Sequence, residues 1–208
     1  MRELRLDIIN EKILILSDIH YPNTNVEILR EIVRDERPDI LILLGDIIVG
    51  GDCNFDSFKS VLQVDGDRTK IVYVKGDEDC VDGDVDVLKI LRKGYEVVFL
   101  HGHQYFKESA EYSLARFFKK LNSRLPPFLF CLYFRVLFPR ADEIILGHSH
   151  ALMEFRSIRC INAGCLTYTR NLYNDTGYVV MREGKIITVR DNFIDMGGSR
   201  GRKTREGG

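Results

Sequence analysis

The five histidines of this chain all lie in short motifs that directly follow apolar runs. They are His20, His101, His103, His148 and His150. Asp18 stands two residues before the first of them, and two further apolar runs end in glycine followed by a carboxylate, Asp46 and Asp77. Histidines scattered through a core would not be sorted in this way. The pattern therefore predicts one polynuclear metal site built from the ends of several strands.

The donor types indicate which ions and which reaction such a site serves. Imidazole nitrogen with carboxylate oxygen suits first-row divalent ions such as Mn, Fe, Co, Ni and Zn, whereas an all-oxygen set would favour Mg or Ca. Four histidines and three aspartates are enough for two ions. Two ions about 3.5–4 Å apart need one bridging carboxylate, and they can hold both ends of an in-line displacement. Hydrolysis of a phosphate ester uses that geometry best.

Alternating strands and helices must position these residues. Strand candidates, short and rich in branched aliphatics, are 12–16, 39–44, 70–74, 95–100 and 143–146, and helix candidates are 25–34, 55–62 and 85–91. This alternation predicts an α/β fold with a largely parallel sheet, whose ligands bind beyond the carboxyl ends of the strands. After His150, close-spaced strand candidates at 151–155, 159–161, 178–181 and 185–189 predict an antiparallel meander that supplies a second sheet.

Composition bounds the class. The 208 residues, 45% of them hydrophobic, predict a single domain over 1–196, followed by a disordered basic tail over 197–208. Lys plus Arg is 30 against 31 for Asp plus Glu, so there is no strong nucleic-acid signal. Five cysteines without a CxxC pair suit buried thiols in a reducing compartment better than a disulfide framework. No signal peptide or transmembrane segment is expected, so the predicted location is cytoplasmic.

The ordered motifs resemble those of the calcineurin-like metallophosphoesterases, in particular their small, compact phosphodiesterase branch. The resemblance covers residues from about 12 to about 165 and rests on Asp18-x-His20, Gly45-Asp46, Gly76-Asp77, His101-Gly102-His103 and Gly147-His148-Ser149-His150. It implies two facing mixed β-sheets flanked by helices, a four-layer αββα sandwich. By position, one metal would be held by Asp18, His20, Asp46 and His150, and the other by Asp46, Asp77, His101 and His148. Asp46 would then bridge the two ions.

The resemblance also implies a function. A metal-bridging hydroxide would attack the phosphorus of a small phosphodiester or phosphomonoester in line, with two divalent transition-metal ions as cofactors. We favour manganese, with Ni, Co, Fe or Zn as alternatives. Many relatives have a histidine after the metal-binding residue of the third motif, where this chain has Glu78. Glu78 and His103 are therefore the candidate substrate contacts, and His103 is a candidate proton donor or a packing residue.

Position 77 departs from the family pattern, because asparagine is usual there. With Asp77, two divalent ions face three carboxylates, which makes the site less positive and weakens its attraction for phosphate. The same departure, with His101-Gly102-His103-Gln104, is similar to the phosphoesterase-like subunit of retromer, which works mainly as a protein-binding scaffold. This chain keeps Asp46, where that subunit has a non-acidic residue. A metal-binding scaffold with little activity is thus the alternative function.

The segment 107–140 is longer than expected of a connection in the compact branch. It predicts a helical insertion, with Leu114, Phe117, Phe118 and Leu121 at helical spacing before the apolar run 125–138. Two interpretations stay open: helices that cover the sheet, or an exposed apolar surface for a protein partner, self-association or a membrane interface. The exposure of Phe128, Phe130, Phe134 and Phe138 distinguishes them.

Two weaker features lie near the motifs. The acidic string 77–86 lacks the ligand order of a calcium loop, so it predicts a solvated turn. Residues 162–165 stand where the family has an asparagine-proline-glycine-serine turn, and we expect them to shape the rim of the site. Tyr168 and Arg170, just beyond, either contact substrate phosphate or lie on the surface.

Overall fold

The computed structural model describes residues 1–105, 116, 118–167 and 172–190, and in this part of the chain eleven strands form two sheets. The strands are β1 (Glu3–Asp7), β2 (Ile13–Leu16), β3 (Ile40–Leu44), β4 (Lys70–Val74), β5 (Val87–Arg92), β6 (Tyr95–Leu100), β7 (Glu143–Leu146), β8 (Leu152–Phe155), β9 (Cys160–Ala163), β10 (Gly177–Arg182) and β11 (Lys185–Arg190). The helices are α1 (Val26–Glu36), α2 (Phe55–Leu62) and α3 (Leu125–Leu137), with 3-10 turns at His103–Tyr105 and Arg156–Ile158. One sheet has the order β11-β10-β2-β3-β4, and the other has the order β1-β5-β6-β7-β9-β8.

The two sheets pack face to face, and helices cover their outer faces. Alternate side chains of β2 show how the sequence produces these layers, because a strand points successive residues to opposite faces. Ile13 and Ile15 lie in the core between the sheets, whereas Leu14 and Leu16 pack towards α1 and α2. On the far side, α3 packs on the six-stranded sheet through a third apolar cluster. The predicted four-layer αββα sandwich is confirmed.

Local signals place the helix starts. The side chain of Asn25 accepts hydrogen bonds from the backbone N–H groups of residues 27 and 28, and Asn54 does the same for residues 56 and 57. The prolines 126 and 127 occupy the first turn of α3, where no intrahelical partner is lost. The predicted helices at 25–34 and 55–62 are therefore confirmed, the first with a two-residue extension.

The predicted helix at 85–91 is wrong, because this segment forms strand β5. Apolar residues three apart fit a buried strand as well as a helix when the run is short. β5 pairs in parallel with β1, a strand that the sequence analysis did not identify, and antiparallel with β6. The turn between β5 and β6 is Lys93-Gly94, both at positive φ, and this two-residue hairpin signal favours strands over a helix.

The predicted meander after His150 is also wrong in its connections. The four strands exist, but β8 and β9 belong to the six-stranded sheet, and β10 and β11 belong to the five-stranded sheet. β9 pairs in parallel with β7. Each antiparallel pair is local, which the sequence can indicate, whereas the crossing between sheets depends on the packing of the whole domain.

Four of the five cysteines are paired, which contradicts the prediction of buried free thiols. The disulfides are Cys53–Cys80 and Cys131–Cys160, and Cys165 is a buried free thiol. The bonded partners are 27 and 29 residues apart, so no short sequence motif predicts which cysteines pair. With two disulfides present, the cysteines no longer indicate a reducing compartment.

The insertion 107–140 is described at residue 116 and from residue 118 onward, and there α3 packs on the six-stranded sheet while part of its surface stays exposed. Phe130 and Phe134 are buried, while Phe128 and Phe138 are half-buried. The start of the insertion and the predicted tail 197–208 lie outside the described residues. Among the helices that are described, none has the length and apolar character needed to cross a membrane.

Candidate metal centre

The seven predicted ligands follow the carboxyl ends of five strands. Asp18 and His20 follow β2, Asp46 follows β3, Asp77 follows β4, His101 follows β6, and His148 and His150 follow β7. Their ligand atoms, with that of Glu78, form three groups, and the atoms of each group lie within 4.8 Å of one another. The groups are Asp46, Asp77, His101 and His148; Asp18, His20 and His150; and His20, Asp46 and Glu78. Asp46 belongs to two of these groups. Residues more than a hundred positions apart thus converge as the sequence predicted.

The backbone at five of these positions is left-handed. The φ angles are 51° at Asp18, 52° at His20, 52° at Asp46, 62° at His148 and 53° at His150. Asp and His tolerate this region better than bulky residues do, and such conformations cluster at functional sites. Hydrogen bonds hold the loops: the N–H of Asp18 donates to Gly45 O at 3.0 Å, and that of His20 donates to Asp46 O at 2.8 Å. The loops after β2 and β3 are therefore fixed against each other.

His101 is fully buried, and the backbone selects its tautomer. Its Nδ1 lies 3.0 Å from Leu44 O, an acceptor, so Nδ1 carries the proton and donates. The other nitrogen, Nε2, then faces Asp46 Oδ2 at 3.3 Å and Asp77 Oδ1 at 3.1 Å. A histidine oriented in this way by a carbonyl is the usual arrangement of a metal ligand.

Asp18 is held from one side and open to His150 on the other. Its Oδ2 accepts from the backbone N–H of His148 at 3.1 Å and contacts the Ser17 hydroxyl. Its Oδ1 lies 3.2 Å from His150 Nε2. Burial alone would raise the pKa of Asp18, but the charge of His150 and the hydrogen bonds lower it to about 2. The residue is therefore a carboxylate at neutral pH.

Asp77 lies among imidazoles. Its Oδ1 is 3.1 Å from His101 Nε2 and 3.2 Å from His148 Nδ1. Burial opposes ionisation, but these two rings hold the pKa of Asp77 far below its usual range. Conversely, burial opposes charge on His101 and His148, while Asp46 raises the pKa of the first and Asp77 that of the second. In this cluster the carboxylates and the imidazoles therefore stabilise each other's charged forms.

Several buried polar atoms of the cluster have no hydrogen-bond partner among the described residues. They are Asp18 Oδ1, His20 Nε2, Asp77 Oδ1, His101 Nε2 and His103 Nδ1. Buried polar atoms are almost always paired, and a cation is one way to satisfy a nitrogen lone pair and a carboxylate oxygen together. The donor set of imidazoles and carboxylates fits divalent transition-metal ions.

Glu78 and His103, the predicted substrate contacts, both lie at the cluster. Glu78 Oε2 is 3.3 Å from His20 Nδ1, and the Glu78 backbone N–H donates to Asp46 Oδ1 at 2.9 Å. His103 Nδ1 is 3.7 Å from Asp77 Oδ1, and burial, followed by the charge of His101, lowers the pKa of His103. The carboxylate of Glu78 is thus placed as a further ligand candidate, while His103 borders Asp77 on the other side.

Asp79 is a residue of this site that the sequence analysis missed, since the string 77–86 was predicted as a solvated turn. Its carboxylate accepts from the backbone N–H groups of Asp46, Ile47 and Ile48 at 3.0, 2.7 and 3.0 Å. It also accepts from Gly76 N–H at 2.7 Å and from the Tyr73 hydroxyl at 2.5 Å. Burial raises the pKa of Asp79, although the donated bonds oppose this.

The local sequence gives one signal that Asp79 could bind backbone N–H groups: it lies three residues after Gly76 at the end of a strand. Asp side chains often accept hydrogen bonds from nearby backbone N–H groups in turns. The rest of the string is mixed: Asp82 is exposed, whereas the Asp84 carboxylate accepts from Tyr73 N–H at 2.8 Å. The prediction of a solvated turn is therefore wrong for Asp79, which is shielded from solvent and bonds to the neighbouring loop, and it agrees with the exposure of Asp82 and Asp84.

The turn at 162–165 contacts the site through its hydrogen bonds. The side chain of the buried Asn162 accepts a hydrogen bond of 2.9 Å from the hydroxyl of Ser149. Ser149 lies between His148 and His150 in the sequence. The N–H of Leu166, just past the turn, donates to Asp18 O at 3.2 Å. Tyr168 and Arg170 lie outside the described residues.

Comparison with known proteins agrees with this geometry. The family model of the calcineurin-like phosphoesterase superfamily domain matches residues 12–184. No curated protein sequence matches the chain. The chain is similar in structure to a conserved uncharacterized protein, a predicted phosphoesterase, from Streptococcus pneumoniae TIGR4, with 18% identity and a TM-score of 0.51 over 94% of this chain and 98% of that one.

Two other solved structures share the architecture. Wild-type Vps29 of Entamoeba histolytica, complexed with Zn²⁺, is 16% identical with a TM-score of 0.59, covering 93% of this chain and 98% of that one. YfcE, a phosphoesterase from E. coli, is 15% identical with a TM-score of 0.51, covering 86% and 92%. At these identities the similarity shows a shared fold.

Proposed function

The chain belongs to the calcineurin-like phosphoesterase superfamily, and from that premise we propose that it is a dinuclear-metal phosphoesterase that hydrolyses a small phosphodiester or phosphomonoester. The observation that carries the proposal is the position of Asp46. Its carboxylate is shared between the group with Asp77, His101 and His148 and the group with His20 and Glu78. A carboxylate common to two ligand groups is what a bridged pair of ions requires.

The proposed ligands divide into two sets that meet at Asp46. Asp18, His20, Asp46 and His150 would hold one ion, and Asp46, Asp77, His101 and His148 would hold the other. Glu78 would complete the first set, since its carboxylate reaches His20. When bound, two such ions supply Lewis acidity that activates water and neutralises charge on the phosphate oxygens.

The chain itself contributes orientation. The Leu44 carbonyl fixes the His101 ring, and the Ser17 hydroxyl and the His148 N–H fix one oxygen of Asp18. These contacts come from the domain itself, so the fold orients the ligands, as in a preorganised site. His103, on the Asp77 side, would contact the phosphate ester or its leaving group. Manganese is the ion we favour.

A substrate and metal panel tests the proposal. Bis(p-nitrophenyl) phosphate and p-nitrophenyl phosphate would be supplied with Mn, Ni, Co or Zn to the native chain, Asp46→Asn and Asp77→Asn, with metal stoichiometry measured by calorimetry. We expect Asp46→Asn to lose more than about a hundredfold in rate and to bind fewer ions, because the shared ligand is gone. We expect Asp77→Asn to keep or raise the rate, because the amide leaves the site more positive.

The control is Asp52→Asn, an exposed carboxylate in the same loop as Asp46, which should leave rate and stoichiometry unchanged. Asp77 also favours the second candidate function, a metal-binding scaffold that binds a protein partner. A native chain that binds metal but turns over neither substrate with any of the four ions would decide for the scaffold. Failure to bind metal would overturn both.

A further inference from the structure

Helix α3 has an exposed apolar face directed away from the protein. Its outer face consists of Leu132, Tyr133, Val136 and Leu137, which are 38%, 38%, 72% and 39% exposed. These positions recur at the spacing of helical turns and therefore lie on one side. Phe130, Cys131 and Phe134, on the other side, are buried against the six-stranded sheet. A helix that is apolar on all sides is normally enclosed, and this one is not.

The outer face cannot turn inward, because α3 is fixed at several points. The disulfide Cys131–Cys160 joins the helix to β9. The Arg135 guanidinium donates to the carbonyls of Ile158, Ala141 and Arg159 at 2.8, 2.5 and 2.5 Å. The exposure of the outer face is therefore a property of the packed domain.

Positively charged residues flank α3 along the chain. The thirty residues 112–141 contain no carboxylate and six cations, in a chain whose net charge is −1. The cations are Arg116, Lys119, Lys120, Arg124, Arg135 and Arg140. Lys120 and Arg124 are exposed just before α3 begins, and Arg140 is exposed just after it ends. Cations thus stand at both ends of the exposed apolar helix.

We propose that the outer face of α3 docks on the surface of an anionic lipid bilayer. An interfacial helix buries an apolar face at the level of the headgroups while flanking cations attract the anionic lipids. With 13 residues, α3 is about 20 Å long, too short for the roughly 30 Å hydrocarbon core, so it lies on the membrane. Self-association through this face would bring two such basic segments together, and the repulsion of like charges opposes it.

Docking in this orientation would place the candidate metal centre close to the lipid surface. The ring of Phe130, on the inner face of α3, lies 6.2 Å from the ring of His148. One helix diameter, about 10 Å, therefore separates the outer face from the site. Docking on a bilayer does not depend on the proposed phosphoesterase activity, and it can be measured without turnover.

Vesicle flotation tests the proposal with the full chain. The vesicles would be phosphatidylcholine alone, or equal parts of phosphatidylcholine and phosphatidylglycerol, at low and high salt. We expect the native chain to float with the anionic vesicles only, and less at high salt. Leu132→Gln with Val136→Gln, and separately Lys120→Gln with Arg140→Gln, should each weaken binding by about tenfold or more.

The matched control is Ile9→Gln, since Ile9 is 70% exposed in the loop between β1 and β2, away from α3. It should bind the anionic vesicles as the native chain does, and thermal melts should show that all variants are folded. The proposal is overturned if the native chain binds neither vesicle, or if both paired variants bind as well as it does. It is also overturned if light scattering shows a native dimer that Leu132→Gln with Val136→Gln converts to a monomer.

Discussion

The carboxylate of Asp79 accepts a hydrogen bond of 3.0 Å from the backbone N–H of Asp46. A residue outside the predicted ligands therefore holds the backbone of Asp46, whose carboxylate is shared by two ligand groups. Asp79 also bonds to Gly76, just before Asp77, so it joins the loop after β3 to the loop after β4. Asp79 thus helps to fix the position of Asp46 relative to Asp77, together with the hydrogen bond from the Glu78 N–H to Asp46 Oδ1.

The first prediction concerns Asp79→Asn. The amide retains one acceptor oxygen but turns an NH₂ group towards backbone donors, so several charge-assisted hydrogen bonds are lost. We expect a fall of about 3 kcal/mol in the free energy of unfolding, and metal affinity lower by about tenfold to a hundredfold. Urea unfolding and titration calorimetry measure the two effects. Asp82→Asn is the control: Asp82 is an exposed carboxylate of the same loop whose ion pairs with Arg2 and Lys75 are screened by solvent, so it should lower stability far less than Asp79→Asn and leave metal affinity unchanged.

The second prediction compares two glycines at similar positive φ. Gly45 has φ 77°, and a Cβ there would lie 2.2 Å from His101 Nδ1. Gly94 has φ 84° and no atom within 4 Å of a Cβ. Gly94→Ala should cost about 1–2 kcal/mol of stability from backbone strain alone. Gly45→Ala should cost about 3 kcal/mol or more, because the His101 ring must also move.

Denaturant unfolding measures both variants, and metal titration separates them further. Only Gly45→Ala should weaken metal binding, since only it displaces a proposed ligand. Equal costs for the two substitutions, with unchanged metal affinity, would show that the space beside His101 is not needed.

The ligand positions could be predicted because each follows a strand whose apolar run is visible in the sequence. Asp18, Asp46, Asp77 and His101 were located in this way, and parallel strands bring their carboxyl ends together. The role of Asp79 could not be predicted, because its main partners lie 31 to 33 residues away in another loop. Local patterns predict where a strand ends, and long-range hydrogen bonds follow only from the fold.

Strand β5 and the disulfides show the same limit. The apolar spacing in 85–91 was compatible with helix and strand, and pairing with both β1 and β6 decided the outcome. Cysteine spacing carried no information about which loops would meet. In contrast, the asparagine caps and the prolines act on the first turn of their own helix, so local sequence indicates where the helices start.

The third prediction concerns the disulfide Cys53–Cys80, which joins the loop after Asp46 to the loop after Asp77. Cys53→Ser with Cys80→Ser should lower the free energy of unfolding by about 3–4 kcal/mol, the amount expected for a loop of 27 residues. We also expect weaker metal binding, because Cys80 lies three residues after Asp77. Thermal unfolding and calorimetry of the doubly substituted chain measure these effects.

The second disulfide provides the control for the metal effect. The Cys131–Cys160 bond closes a loop of similar length, 29 residues, but it joins α3 to β9. Cys131→Ser with Cys160→Ser removes this bond. It should cost similar stability while metal affinity changes less. If both pairs of substitutions weakened metal binding equally, the Cys53–Cys80 bond would have no specific part in positioning Asp77.

The last prediction concerns Glu143, at the start of β7 and away from the metal ligands. Burial raises the pKa of Glu143 to about 7, against the opposing charge of Arg135. An acid whose pKa is higher in the folded state binds its proton more tightly there, so its stabilising contribution is complete below the unfolded pKa of about 4.3. That contribution is lost as the pH rises towards 7. Allowing for solvent screening, the free energy of unfolding falls by about 2 kcal/mol over this pH range.

Glu143→Gln removes this ionisation, so it should raise the free energy of unfolding relative to the native chain at pH 8 and leave it nearly equal at about pH 4, below the unfolded pKa. Urea unfolding at both pH values measures the difference, and Glu183→Gln, in the exposed turn between β10 and β11, is the control. Because the neutral form of Glu143 also accepts from Tyr95 at 3.4 Å, the amide can replace it without losing an acceptor. A variant that gained no stability at pH 8 would show that Glu143 ionises in the folded protein as readily as in the unfolded chain.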